Sequence, residues 1–137
     1  MFYYNDVLRK ENKPIEFWYQ NGIIRQGGCI VEYFAETNHL AQTLKDERAI
    51  TKAYGKDRGQ RIQQRLAEFK AATTLMDIPV DPPPRCHRLK GNRQNQFAVN
   101  ISANYRMVFE GYDKNDRLTT KKSEIVTVQI TSIEDYH

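Results

Sequence analysis

From Gln96 to Ser102 apolar and polar positions alternate. Phe97, Val99 and Ile101 fall on one side, and Ala98, Asn100 and Ser102 on the other, which is the period of two that a half-buried strand requires. Tyr105–Glu110 repeats the pattern, with Tyr105, Met107 and Phe109 on one face and Arg106, Val108 and Glu110 on the other. A last strand is predicted over Glu124–Ile133, where Val126, Val128 and Ile130 form the more apolar row. The opposite row is Ile125, Thr127, Gln129, Thr131 and Ile133, and it runs on to Asp135 and His137 if the strand stays regular to its end. On that count Arg106, Asp135 and His137 share the sheet face that the helices leave uncovered.

Upstream, β-branched and aromatic residues mark a short strand over Cys29–Phe34. A helix is predicted from Asn38 to about Tyr54, capped by Thr37 or Asn38, with Leu40 and Leu44 one turn apart and Gly55 as its stop. A second helix runs from about Lys56 to Thr74, where Ile62, Leu66, Phe69 and Thr73 form one buried stripe. Arg58, Arg61, Arg65 and Lys70 lie mostly off that stripe and read as a solvated face. Pro79 and Pro82-Pro83-Pro84 end helical structure. Arg85–Leu89 then reads as a short strand, Gly91–Asn95 as a turn and Asp113–Ser123 as a polar loop. The order β-α-α-β-β-β-β predicts an α+β fold, with two helices covering one face of a mainly antiparallel sheet.

Length and composition narrow the class. With 137 residues, 39% hydrophobic and 28% charged, the chain has the material for one modest core. A net charge of +4 and a pI near 9.1 direct attention to anionic partners. Cys29 and Cys86 have neither metal-ligand nor disulfide spacing. The N-terminus lacks an apolar signal region, and no run approaches the roughly 20 apolar residues of a membrane span, so a cytoplasmic protein is expected.

Three histidines are present, His39, His87 and His137. His87 sits in RCHRLKG, Arg106 in NYRMVFEG, and His137 ends the segment VTVQITSIEDYH. Together with the helical stretch AITKAYGKDRGQRIQQRLAEFKAATTL, these motifs resemble the HigB-type toxins of the RelE/ParE superfamily, over residues 29–137. The resemblance implies a RelE-like fold and a ribosome-dependent endoribonuclease that cuts messenger RNA. It also implies a cognate helix-turn-helix antitoxin of the HigA type, contact with DNA only through that antitoxin, and no membrane partner. The site residues it implies are His87, Lys90, Arg106, Asp135, Tyr136 and His137, with Lys90, Arg93 and Arg106 on the RNA, and no metal or cofactor.

That residue set suits the chemistry. RNA carries its own nucleophile, the 2′-hydroxyl. Cations beside the phosphate gain strength as charge develops on it, and imidazoles move protons near neutrality. Which histidine is acid and which is base stays open at this level. Two other classes remain: a toxin of the same fold that poisons DNA gyrase by binding, and a catalytically weak binding or regulatory module. Residues 1–28 have no counterpart in the resemblance. They read either as an N-terminal extension or as upstream sequence translated from a misassigned start, with Val31 as a GTG start codon behind Gly27-Gly28.

Overall fold

The computed structural model describes residues 31–135. Residues 1–28, the predicted strand start at Cys29, and Tyr136 and His137 lie outside them. The described chain is α+β. Five strands, β1 (Glu32–Ala35), β2 (His87–Arg88), β3 (Gln96–Asn100), β4 (Tyr105–Tyr112) and β5 (Thr127–Asp135), form one sheet in the order β1-β5-β4-β3-β2. β1 runs parallel to β5, and every other pair is antiparallel. No described helix is long and apolar enough to cross a membrane.

Among the described residues three α-helices, not two, precede β2: α1 (Asn38–Leu44), α2 (Glu47–Tyr54) and α3 (Lys56–Ala71). The predicted single helix over 38–54 breaks at Asp46, whose backbone is extended and whose Oδ1 accepts the Ala49 N–H at 2.8 Å. A short carboxylate thus substitutes for a turn of helix and starts a new one. Thr37 caps α1 through its Oγ1, which accepts from Leu40 N–H. Gly55 joins α2 to α3 at φ 87, a left-handed angle that glycine adopts without strain.

Ile62, Leu66 and Phe69 of α3 are buried as the stripe predicted, whereas Thr73 lies beyond the helix end and is exposed. Ala72 and Leu75 fill the core there instead. Phe69 meets Phe109 edge-on at 5.3 Å, and Phe109 stacks on Phe97 at 5.8 Å, so helix and sheet share one aromatic seam. Arg65 departs from the expected solvated face and is only 4% exposed. Its Nε donates to the Asn100 carbonyl at 2.7 Å and its Nη1 to Glu68 Oε2 at 2.8 Å, which locks α3 onto the end of β3.

β5 starts at Thr127, and the apolar row predicted from Val126 is corrected at both ends. Ile125 is fully buried, while Val126 is only partly so. At the far end the pairing with β4 slips by one residue: Phe109 pairs with Ile130, but Val108 pairs with Ser132. Thr131 is left over as a bulge, and its Oγ1 donates to the Val108 carbonyl at 3.2 Å. Beyond it the faces of β5 are exchanged.

Gly111 supplies the space for Ile125. A Cβ at position 111 would lie 2.3 Å from Ile125 Cδ1 and 2.8 Å from its Cγ1. Gly111→Ala is therefore expected to destabilise the fold by about 1–3 kcal/mol, the usual penalty of overpacking. Denaturant unfolding of Gly111→Ala, Ile125→Ala and the double variant checks this. The double variant should lose less stability than the sum of the two single variants.

Candidate functional site

The sheet face opposite the helices carries a small apolar row, Leu89, Ala98 and Val108, edged by polar and charged side chains. Cross-strand register places His87, Ala98, Val108 and Ser132 in one line, and Asn100, Arg106 and Glu134 in the next. Directly paired residues share a face, so His87, Arg106 and Glu134 lie on the same side of the sheet.

Asp135 pairs instead with Tyr105, on the side of Met107 and the helices. The expectation that Asp135 shares a face with Arg106 is therefore corrected. The cause is the Thr131 bulge, since a one-residue slip exchanges the faces of the described residues that follow it, Ser132 to Asp135. Tyr136 and His137 lie outside the described residues.

Glu134, which the sequence reading passed over, takes the position expected of Asp135. Its Oε2 accepts from Arg106 Nη2 at 2.8 Å, Arg106 Nε at 3.0 Å and Arg93 Nη1 at 2.9 Å. Its Oε1 accepts from Arg93 Nη2 at 3.2 Å and from Ser132 Oγ at 3.0 Å. Arg93 also donates from Nε to Gln96 Oε1 at 2.9 Å. The Arg93 hydrogen bond, opposed by partial burial and reinforced by Arg106 and Ser132, pulls the Glu134 carboxyl down from 4.5 to about 2. Two strands, β4 and β5, and the β2–β3 turn thus meet at one carboxylate that is ionised at neutral pH. Lys90 stands exposed at the head of that turn, three residues before Arg93.

His87 is set differently. Its Nδ1 lies 2.8 Å from the Arg85 carbonyl, an acceptor only, so Nδ1 carries the proton and Nε2 keeps its lone pair. Arg85 holds a left-handed backbone at φ 46, a strain of about 1–3 kcal/mol for a residue with a Cβ. Arg85 N–H to Asp81 O at 3.1 Å and Cys86 N–H to Pro79 O at 2.9 Å hold that turn. Burial lowers the His87 pKa, opposed by the bond to Arg85, and the positive charges of Arg85, Arg106 and Lys122 lower it further. Lys122, also absent from the sequence prediction, donates from Nζ to the Cys86 carbonyl at 2.9 Å and ties the 113–126 loop to β2. His87 is therefore a neutral imidazole among cations.

The predicted residues thus divide. His87, Arg93 and Arg106 come together on one face, Lys90 borders them, and Asp135 lies on the other side of the sheet. Among the described residues no group of three or more His, Cys, Asp or Glu side chains is placed to hold a metal ion. The phase of the apolar residues did contain the missing signal. Val128 and Ile130 are two apart, but Ile133 follows after three, and Ile133 packs on the helix-side core.

No family model matches the sequence, and no curated protein matches it. Among solved structures, the YoeB/ParE toxin from Agrobacterium tumefaciens is similar over 64% of this chain and 84% of its own, with a TM-score of 0.43 and 10% identity. At that distance the functional reading rests on the side chains of this chain.

The Glu134 network has an acid limit. Its contribution to stability is complete above pH 4.5 and is lost as the pH falls towards 2, because the folded pKa is the lower one. The stability difference between the wild-type protein and Glu134→Gln should therefore be widest above pH 4.5 and close towards pH 2. Urea unfolding at a series of pH values checks this, and a gap that does not change with pH would contradict it.

Proposed function

We propose that this chain is the toxin of a type II toxin–antitoxin system, a ribosome-dependent endoribonuclease that cleaves messenger RNA through attack by the RNA's own 2′-hydroxyl. The observation that carries this reading is His87, a neutral imidazole whose Nε2 lone pair shares a sheet face with Arg106 and Arg93. The resemblance of RCHRLKG, NYRMVFEG and the Asp-Tyr-His ending to HigB-type toxins supports it independently.

In this mechanism His87 Nε2 takes the proton of the 2′-hydroxyl as the oxygen attacks the neighbouring phosphorus. Lowering the imidazole pKa makes it a weaker base, but keeps it deprotonated and ready at neutral pH. Arg106 and Lys90 meet the growing charge on the phosphate oxygens, where fixed cations act most strongly on the transition state. The 5′-oxygen leaves with a proton, which this reading assigns to His137, and Tyr136 contacts the RNA. Asp135, across the sheet from Arg106, orients the chain end and makes no contact with the phosphate. The partners are the ribosome with its messenger RNA and a HigA-like helix-turn-helix antitoxin, through which alone the chain meets DNA.

Incubating the purified protein with messenger RNA in the presence and absence of ribosomes tests the proposal. Cleavage is expected with ribosomes only, and His87→Ala should lower the rate by about 10²–10⁴-fold, the usual worth of a positioned acid or base. No cleavage under either condition would favour the gyrase-binding or regulatory alternatives.

The pH dependence follows from the sign of the His87 shift. Protonation removes the base, so the acid limb of kcat/KM should fall below the ordinary 6.5 of histidine. A limb above 6.5 would remove His87 from that role. Arg106→Ala should lower kcat more than it weakens ribosome binding, and Arg106→Lys should recover only part of the loss, since the planar fork is gone.

A further inference from the structure

We infer that Glu134 is the positioning residue of this site, holding the Arg93 and Arg106 guanidinium groups as one oriented pair for an RNA phosphate. The inference rests on the endoribonuclease reading above and extends it to a residue that the family motifs do not supply.

Four observations carry it. Glu134 accepts from both arginines, and its Oε2 is shared between Arg93 Nη1 and Arg106 Nη2. The arginines come from separate parts of the chain, Arg93 from the β2–β3 turn and Arg106 from β4, and Glu134 on β5 bonds to both. Two guanidinium groups brought this close repel each other, and a carboxylate between them makes the approach favourable. Ser132, two residues back on the same strand, then fixes the carboxylate through Oε1. Glu134 faces the arginines because of the Thr131 bulge, so the irregularity in β5 has a use: it aims this side chain.

A phosphate recognised by two such guanidinium groups meets a preset array, and catalysis depends on its alignment to within about an ångström. The oriented pair keeps a net charge of about +1 after Glu134 is counted, so it still attracts an RNA backbone. Removing the carboxylate makes the site more positive but leaves the arginines without a common anchor. Binding and chemistry should therefore respond in opposite directions, which a purely structural residue would not produce.

The test uses the full chain with Glu134→Gln, which keeps the shape and loses the charge, and Glu134→Asp, which keeps the charge and loses reach. Ribosome-dependent cleavage gives kcat and KM, and ¹⁵N spectra of the arginine Nε–H groups in the free protein give a readout that needs no activity. For Glu134→Gln, kcat should fall by about 10²-fold with KM unchanged or lower, the scale of an ångström's misplacement. The Arg93 and Arg106 Nε–H signals should be distinct and slow to exchange in the wild-type protein, where both groups are hydrogen-bonded, and should collapse in this variant towards those of solvent-exposed arginine. Glu134→Asp should also lose rate, with KM as in the wild-type protein.

Wild-type cleavage with unchanged kcat in Glu134→Gln would overturn the inference. So would full activity in Glu134→Asp, which would show that charge alone is enough, or Nε–H signals indifferent to Glu134. If Glu134→Gln does not fold, Glu134→Asp and its spectra decide. An inactive wild-type protein would overturn the endoribonuclease reading itself, and so is distinguishable from failure of Glu134 alone.

Discussion

One unpaired residue, Thr131, decides which side chains at the end of β5 can take part in the site. Without it, regular pairing to β4 would carry Asp135 to the face of Arg106 and send Glu134 towards the helices. With it, Ile133 drops onto the hydrophobic core beside Met107, and Glu134 arrives opposite Arg106. At the bulge the Thr131 hydroxyl donates to the Val108 carbonyl on β4, a side-chain bond across the irregular step of the ladder. A threonine is well suited here, because it offers a hydroxyl while its β-branched side chain still fits a strand.

From that slip follows a division of electrostatic labour. Glu134 sits among guanidinium groups and is held ionised well below the ordinary carboxylate range. His87 sits on the same face, near cations with no carboxylate bonded to it among the described residues, and is held neutral. Arg106 acts on both: it stabilises the charged form of the acid, and it adds to the burial that favours the uncharged form of the imidazole. Groups whose environments push their titrations apart are a signature of assigned acid–base roles. Glu134 is thereby held charged and His87 neutral, the two states that the proposed roles of anchor and base require. The left-handed turn at Arg85 aims its carbonyl at Nδ1, so the tautomer of His87 is built into the backbone.

The regular parts of this fold were legible because their periods are clean. Phe97 and Val99 on β3, Ile101 just past its end, and Met107 and Phe109 on β4 occupy the core as alternation demands. The same alternation put Arg106 on the opposite face. Legibility failed where one side chain outweighs the period. Asp46 interrupts a helix that Leu40, Leu44 and Ile50 would otherwise continue. Arg65 looks like a solvated cation until the Asn100 carbonyl and Glu68 carboxylate bury it. Glu134 was hidden by the assumption of a regular strand, although the three-residue step from Ile130 to Ile133 recorded the break. Lys122 had no local signal, since its bond to Cys86 joins segments 36 residues apart.

In the proposed function a neutral imidazole and fixed guanidinium groups promote attack by the 2′-hydroxyl of RNA. The chemistry of the cut ends tests that most directly. Products formed by the chain on ribosome-bound messenger RNA should carry a 2′,3′-cyclic phosphate, or the 3′-phosphate derived from it, on the upstream fragment and a 5′-hydroxyl on the downstream fragment. A 3′-hydroxyl paired with a 5′-phosphate would mean that water, and not the RNA, supplied the nucleophile, and would contradict the account.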